Sequence, residues 1–318
     1  MRPAAGKHSS VTKEDRSGLL AGIAAFGTWG LIPVYWKLFT TISASEILAH
    51  RFVWTTAFLV GLLSWQQRWP EVREATRSRR ALLYCIASGL AISVNWFCFI
   101  WAVNAGRVIE TSLGYFMTPL VNVLFGATFL RERLTRWQLL SVLLALVGVV
   151  NLTLGYGRFP WLAITICVSF GLYGLLRKKS GVRPIPGLFL ETTLLTPIAA
   201  LYLIYLQRSG HSAFSSVSAS MILLLMSTGI VTGVPLVWFG HAARHLRLTT
   251  LGFLQYLSPT FSFFLGVFLY QEPFTRTHLI TFTFIWIALI IFTAEAIWRW
   301  RADREREAFR EPVARAAH

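Results

Sequence analysis

Two charged residues stand inside stretches that are otherwise apolar, Arg51 and Glu191. An Arg at the centre of a bilayer costs about 2.5–3.5 kcal/mol on insertion scales, and less when shallower. Arg51 lies about six residues into its stretch, roughly 9 Å deep at a helical rise. Facing a water-filled cavity, it would attract an anionic group such as a carboxylate. Facing lipid, it would snorkel to the headgroups. Glu191 reads first as the partner of a base near its own end, such as Arg177 or Arg131, and second as a proton carrier for coupling, for which one acid is thin evidence. His50 precedes Arg51 by about 100° of helix, so the two cannot face one site.

A second group is polar or aromatic and falls near mid-stretch: Asn95, Trp96, Tyr115, Asn122, Gln255 and Tyr256. Such groups could stack on and hydrogen-bond a neutral or aromatic solute. They could equally bond from helix to helix, with Trp and Tyr anchoring at the interfaces. Trp101 and Trp238 lie near stretch ends, where anchoring is the better reading, whereas Asn95, Tyr115 and Gln255 lie deeper. Pro119 and Pro259 each stand about ten residues into a stretch, and a mid-helix proline frees a carbonyl and kinks the chain. Paired kinks would line a cavity, although prolines are also simply commoner in spanning helices. No zinc spacing, nucleotide loop or Ser-His-Asp set is present, so no cofactor is expected. Glu46, Glu110 and Glu272 stand singly near stretch ends, and Cys85, Cys98 and Cys167 read as small buried hydrophobes.

The elements that must position these residues are membrane spans. The chain of 318 residues is 55% hydrophobic and 14% charged, with a mean hydropathy of +0.56. A soluble domain carries nearly twice that share of charge. Ten spans are expected, near 18–38, 46–66, 82–103, 109–130, 137–154, 159–177, 188–206, 218–240, 249–270 and 278–298, giving an all-α integral membrane protein. Residues 1–17 are polar and basic without a signal peptide's apolar core, so the first span is expected to target the chain. The spacing of Gly18 and Gly22, with Gly27 and Gly30 following, predicts close packing of that span. The tail 299–318 mixes Arg with Glu and Asp and reads as a charged surface helix or as disordered chain.

The net charge of +16 is distributed as topology and does not form a nucleic-acid face. Of 30 Lys and Arg, 24 fall on one side of these spans and five on the other, with Arg51 within a span. Positive charge collects on the cytoplasmic side, which places both termini there. The lipid bilayer and a small-molecule solute are the expected partners. Nothing in the residues sets an oligomeric state, and a monomer suffices.

The chain also repeats itself. Pro119, Gly126 and Glu132 recur as Pro259, Gly266 and Glu272 with the same spacings. Phe26-Gly27-Thr28-Trp29-Gly30 matches Phe170-Gly171-Leu172-Tyr173-Gly174, at an offset of 144 against 140 for the prolines. The halves 18–154 and 159–298 would each hold five spans, and an odd number inserts the second half upside down. Inverted repeats of this kind are the organisation of a transporter. In this arrangement Arg51 and Glu191, offset by 140, are shallow on opposite sides, with about 15 Å of depth between them.

At these residues the chain resembles the EamA-type permeases of the drug/metabolite transporter superfamily, and most closely their RarD branch. The resemblance is carried by residues 29–37 (WGLIPVYWK), 46–51 (EILAHR), Asn95-Trp96 and 114–120 (GYFMTPL). It implies two inverted five-helix repeats around a central cavity that opens to alternate sides, moving amino acids, other metabolites or drugs. Trp29 joins the cavity candidates through it. The branch is linked by name to chloramphenicol sensitivity. Two other readings were weighed: a membrane-embedded enzyme acting on a lipid-linked substrate, and a non-transporting membrane regulator.

Overall fold

The computed structural model describes residues 13–129, 134–157, 159–213, 217–246 and 254–316. Glu132, Arg131, Arg133, Arg158, Arg247 and the start of the 249–270 span lie outside them. Among the described residues the chain is helical and has no strand. The helices are α1 (Lys13–Trp36), α2 (Ala44–Trp65), α3 (Trp69–Thr76), α4 (Arg79–Asn104), α5 (Val108–Phe129) and α6 (Arg136–Tyr156). They continue with α7 (Trp161–Ser180), α8 (Pro184–Arg208), α9 (Ala219–His245), α10 (Leu257–Phe264) and α11 (Arg276–Ala316). Among the described residues nine helices are long and apolar enough to cross a membrane, and the stretch Leu257–Leu269 is a shorter apolar helix. Large apolar side chains such as Leu20, Leu83, Leu154, Leu201 and Ile290 point away from the protein, as a lipid-solvated surface requires.

Short connectors begin and end these helices with local chemistry that recurs along the chain. The Ser78 side chain accepts from Ala81 N at the start of α4, and Ser218, 140 residues on, accepts from Met221 N at the start of α9. Thr135 and Gln138 form a capping box on α6, each side chain bonding the other's backbone N–H at 3.1 Å. Thr275 and His278, again 140 residues on, make the same reciprocal bonds at the start of α11. Capping satisfies N–H groups that no helix can satisfy for itself.

Packing follows the same recurrence. Helix α4 packs on α7 and α9 packs on α1; α5 packs on α7 and α10 on α1; α2 packs on α9 and α8 on α4. The pairs α2–α8, α5–α10 and α6–α11 are their own counterparts. Exchanging α1, α2, α4, α5 and α6 for α7 to α11 in order therefore maps the major helix contacts onto themselves. Single residues obey it too: Gly22 sits against Leu254 as Gly114 sits against Ile166. Close approach rests on such glycines. A Cβ on Gly229 would run into the Trp54 carbonyl, and one on Gly30 would lie 2.9 Å from Ser258 O and 2.7 Å from the Phe261 Cβ.

Three features depart from the expectations, and a fourth decides between two of them. The connector after α2 holds an amphipathic helix, α3, whose Val72 and Ala75 are buried while Glu71 binds Arg68 and Arg183. The Arg68 hydrogen bond, with Arg183 beside it, holds the Glu71 carboxyl below the ordinary carboxylate range, so its contribution to stability fades only as pH falls through that lowered value. Secondly, Pro259 is not a mid-helix kink. The chain turns at Tyr256, and Pro259 occupies the first turn of α10, where its missing N–H leaves no partner wanting. Pro119, by contrast, lies within the continuous α5. Thirdly, Gly266 falls in a π-turn over Leu265–Leu269 that follows α10 directly. Finally, α11 runs on through the tail to Ala316, so the charged-helix alternative holds there.

Gly30→Ala should lower the stability of purified protein by on the order of 1–3 kcal/mol through overpacking. Gly27→Ala, whose Cβ would meet only Phe261 Cε2 at 3.8 Å, should leave it unchanged or slightly raised. Thermal midpoints in one detergent check the contrast.

Candidate solute site

Arg51 stands seven residues into α2, and it is buried rather than snorkelled, with 6% of its surface exposed. Its guanidinium carbon lies 3.6 Å from the ring centre of Trp96 on α4 and 5.1 Å from that of Trp36 at the end of α1. A desolvated cation on an indole face gains about 2 kcal/mol, which offsets much of the cost of burial. The Nε donates to Thr232 Oγ1 on α9 at 3.0 Å. The ionisable groups turned toward Arg51 are the Tyr35 and Tyr115 hydroxyls, and no described carboxylate pairs with it.

Around this charge the helices are tied by polar bonds. Asn95 on α4 donates to Ile166 O at 3.0 Å and Ser169 Oγ at 3.3 Å on α7, and accepts from Tyr115 on α5 at 2.9 Å. One side chain thus joins three helices. Tyr35 donates to Leu224 O at 2.7 Å and meets Ser227 at 2.9 Å, joining α1 to α9. Trp29 and Tyr115 border the apolar cluster that holds Trp36, Phe99 and Ile100. Trp29 also sets its ring against Phe26 and Phe239.

The other sequence candidates divide. Tyr256 belongs to a different cluster, formed mainly by α5, α6 and α11, and Gln255 precedes it at the same chain break. Pro119 is half-buried and Pro259 buried. Asn122 is exposed and lies opposite Gly171. Trp96 thus lies against Arg51, Tyr115 bonds Asn95, and Trp29 borders the same apolar cluster as Tyr115 and Trp36. Pro119 and Asn122 stand farther along α5, and Gln255, Tyr256 and Pro259 lie just before or in the first turn of α10.

Glu191, the counterpart of Arg51, also stands seven residues into its helix and is 1% exposed. It has what Arg51 lacks. Arg177 lies 3.4 Å away, Ser88 donates at 2.6 Å and Tyr173 at 3.4 Å. The Arg177 side chain is threaded across Gly187, where a Cβ would occupy its place. Of the two bases expected beside Glu191, Arg177 is the one found, and Arg131 is outside the described residues.

The acids near span ends are not solitary. Glu110 and Glu272 line one cleft of about 310 Å³ with Arg107 and His278. Each is committed, however. Glu272 accepts from Val108 N at 2.7 Å and Ile109 N at 2.8 Å, capping α5, while Arg107 grips Glu110. Glu46 accepts from Ala213 N at 2.7 Å. No group of three potential metal ligands exists among the described residues. Trp36, Tyr35, Thr232, Ser88 and Glu272 are the residues that sequence reasoning missed in these roles. Gly229 and Gly233, four apart and facing α2, were the available signal for Thr232.

Removing Arg177 should strand a buried carboxylate. Arg177→Met is expected to cost roughly 3–5 kcal/mol, and the double variant Arg177→Met, Glu191→Met should recover much of it. Thermal unfolding of the two variants and the wild type measures this.

The chain resembles known proteins over nearly its full length. Residues 16–154 match the EamA-like transporter family. Protein RarD of Salmonella typhi is 43% identical over 289 residues, covering 91% of this chain and 98% of that one. An uncharacterized transporter of Vibrio cholerae is 41% identical over 92% of this chain and 97% of its own length. The chloramphenicol-sensitive protein RarD of Pseudomonas aeruginosa is 31% identical over 86% and 92%. A solved crystal structure superposes with a TM-score of 0.56 at 20% identity, over 87% of this chain and 96% of that one, and shares the fold. The polytopic helical fold and these relatives together establish that the chain is a membrane transporter of the EamA-like family, in its RarD branch.

Proposed function

We propose that this transporter is a permease carrying a small organic solute by alternating access, through a cavity between two inverted five-helix repeats over 18–154 and 159–298. The observation that carries the reading is the packing exchange: swapping the halves maps the helix contacts onto themselves. With five spans in each half, the proposed repeats enter the membrane oppositely, which is the symmetry that lets one site open to either side. The surplus of Lys and Arg on one side supports cytoplasmic termini and a cell-membrane (inner-membrane) location.

In this reading the group around Arg51 holds the solute. Pro119, Gln255, Tyr256 and Pro259 belong to the helices that shift when the repeats rock. The break at Tyr256 and the π-turn at Leu265–Leu269 supply joints in α10. The enzyme reading lacks support of this kind, because the external acids and His278 are taken up in caps and an ion pair. Relatives named as transporters favour transport over a purely regulatory role.

Sealed vesicles holding the purified protein should accumulate or release at least one radiolabelled solute from a panel of amino acids, organic acids and antibiotics. Chloramphenicol belongs on that panel because one relative bears its name. Pro119→Ala should slow the flux severalfold with the fold intact. Flux of every panel member no faster than through empty vesicles would overturn the reading.

A further inference from the structure

The two buried charges occupy equivalent positions and are treated differently. Glu191 is neutralised from within the chain by Arg177, on the helix equivalent to α1. Counting back by the 144 that relates those helices, the position of Arg177 falls on Pro33, which carries no charge. Among the described residues Arg51 therefore has no counterion. The one hydrogen bond of its guanidinium to a described residue is the Nε donation to Thr232.

Further unmet groups lie beside it. The indole N–H of Trp36, on the ring 5.1 Å from the guanidinium, is enclosed and has no acceptor among the described residues. Thr55, one turn along the same face of α2, is fully buried and its hydroxyl has no partner among them. The site thus holds donors in excess and one unbalanced positive charge. Each such group costs about 1–3 kcal/mol when left unsatisfied, and more for a charge. A ligand that fills the site must bring acceptors and one negative charge.

We propose that Arg51 is the anchor for the carboxylate of the transported solute, with the Trp36 N–H and the Thr55 hydroxyl completing the recognition. This rests on the permease reading and names its substrate class as organic monocarboxylates. The in-plane edge of a guanidinium offers paired donors that match a carboxylate. The guanidinium lies over the Trp96 and Trp36 rings, and its terminal N–H groups, unlike Nε, are not taken by a described residue. A phosphate monoester would bring about −1.5 to −2 and leave a net buried charge.

The test is direct binding to purified protein, with phenylacetate, butanoate, phenylacetamide and phenyl phosphate as the probes. Wild type should bind phenylacetate at least tenfold more tightly than phenylacetamide or phenyl phosphate. Charge-assisted bonds of about 1.5–3 kcal/mol correspond to roughly 10–100-fold in affinity, so Arg51→Gln should lose that factor for the carboxylates and Arg51→Lys should keep part of it. Trp36→Phe, which keeps the ring and removes the donor, should weaken phenylacetate severalfold and leave phenylacetamide unchanged. It serves if Arg51→Gln does not fold. Equal affinity for acid and amide, tighter binding of phenyl phosphate, or no binding of either carboxylate overturns the proposal. Carboxylate binding through Arg51 without flux into vesicles would uphold the site and sink the permease. Flux of a panel solute unchanged by Arg51→Gln would do the reverse.

Discussion

Hydrocarbon offers a polar group no partner, so every donor, acceptor and charge within the membrane thickness must be met by the protein, by a ligand or by water drawn into a cavity. The helix ends of this chain meet the requirement with Ser and Thr caps and, at α5, with the carboxylate of Glu272 reaching across from the other half. Asn95 meets it by bonding three helices at once. Glu191 meets it with a base and two hydroxyls. Arg51 is the place where the requirement is met only in part, by two indole faces and one threonine.

That contrast gives the proposed repeat its meaning. The duplicated frame appears in features that side-chain function does not touch: cap positions, glycine contacts and the order in which helices pack. Within that frame the two halves have diverged where chemistry is concerned. One buried charge closes an internal ion pair, while the other faces an aromatic enclosure without a counterion. A frame that is symmetric in packing and asymmetric in charge would rock about one centre yet hold its cargo at one anchor.

Much of this was legible in the residues. Long apolar runs fix the existence and type of spans, because about 20 residues of helix cross about 30 Å. Arg51 and Glu191 announce themselves because ionisable residues in such runs are costly, and the repeat offset of 140 placed them as counterparts. What the residues withheld was helix rotation and partner choice. Nearly every face of a span is apolar, so periodicity does not say which face looks inward. The pairing of Arg51 with Trp36 and Trp96, and the use of Glu272 as a cap, are tertiary facts. The amphipathic α3 escaped notice because eight residues between spans read as a connector. Pro259 was read as a kink because its spacing matches Pro119, although its helix begins only two residues earlier.

The central claim is that the Arg51 position meets water, from one side of the membrane and then the other. Cys85, Cys98 and Cys167 are buried and can be replaced to give a cysteine-free background. A single Arg51→Cys variant in sealed vesicles can then be probed with membrane-impermeant anionic thiol reagents added to either face. Alternating exposure of a cavity predicts modification from both faces. Reaction only with a lipid-soluble maleimide, and from neither face with the impermeant reagents, would contradict the account.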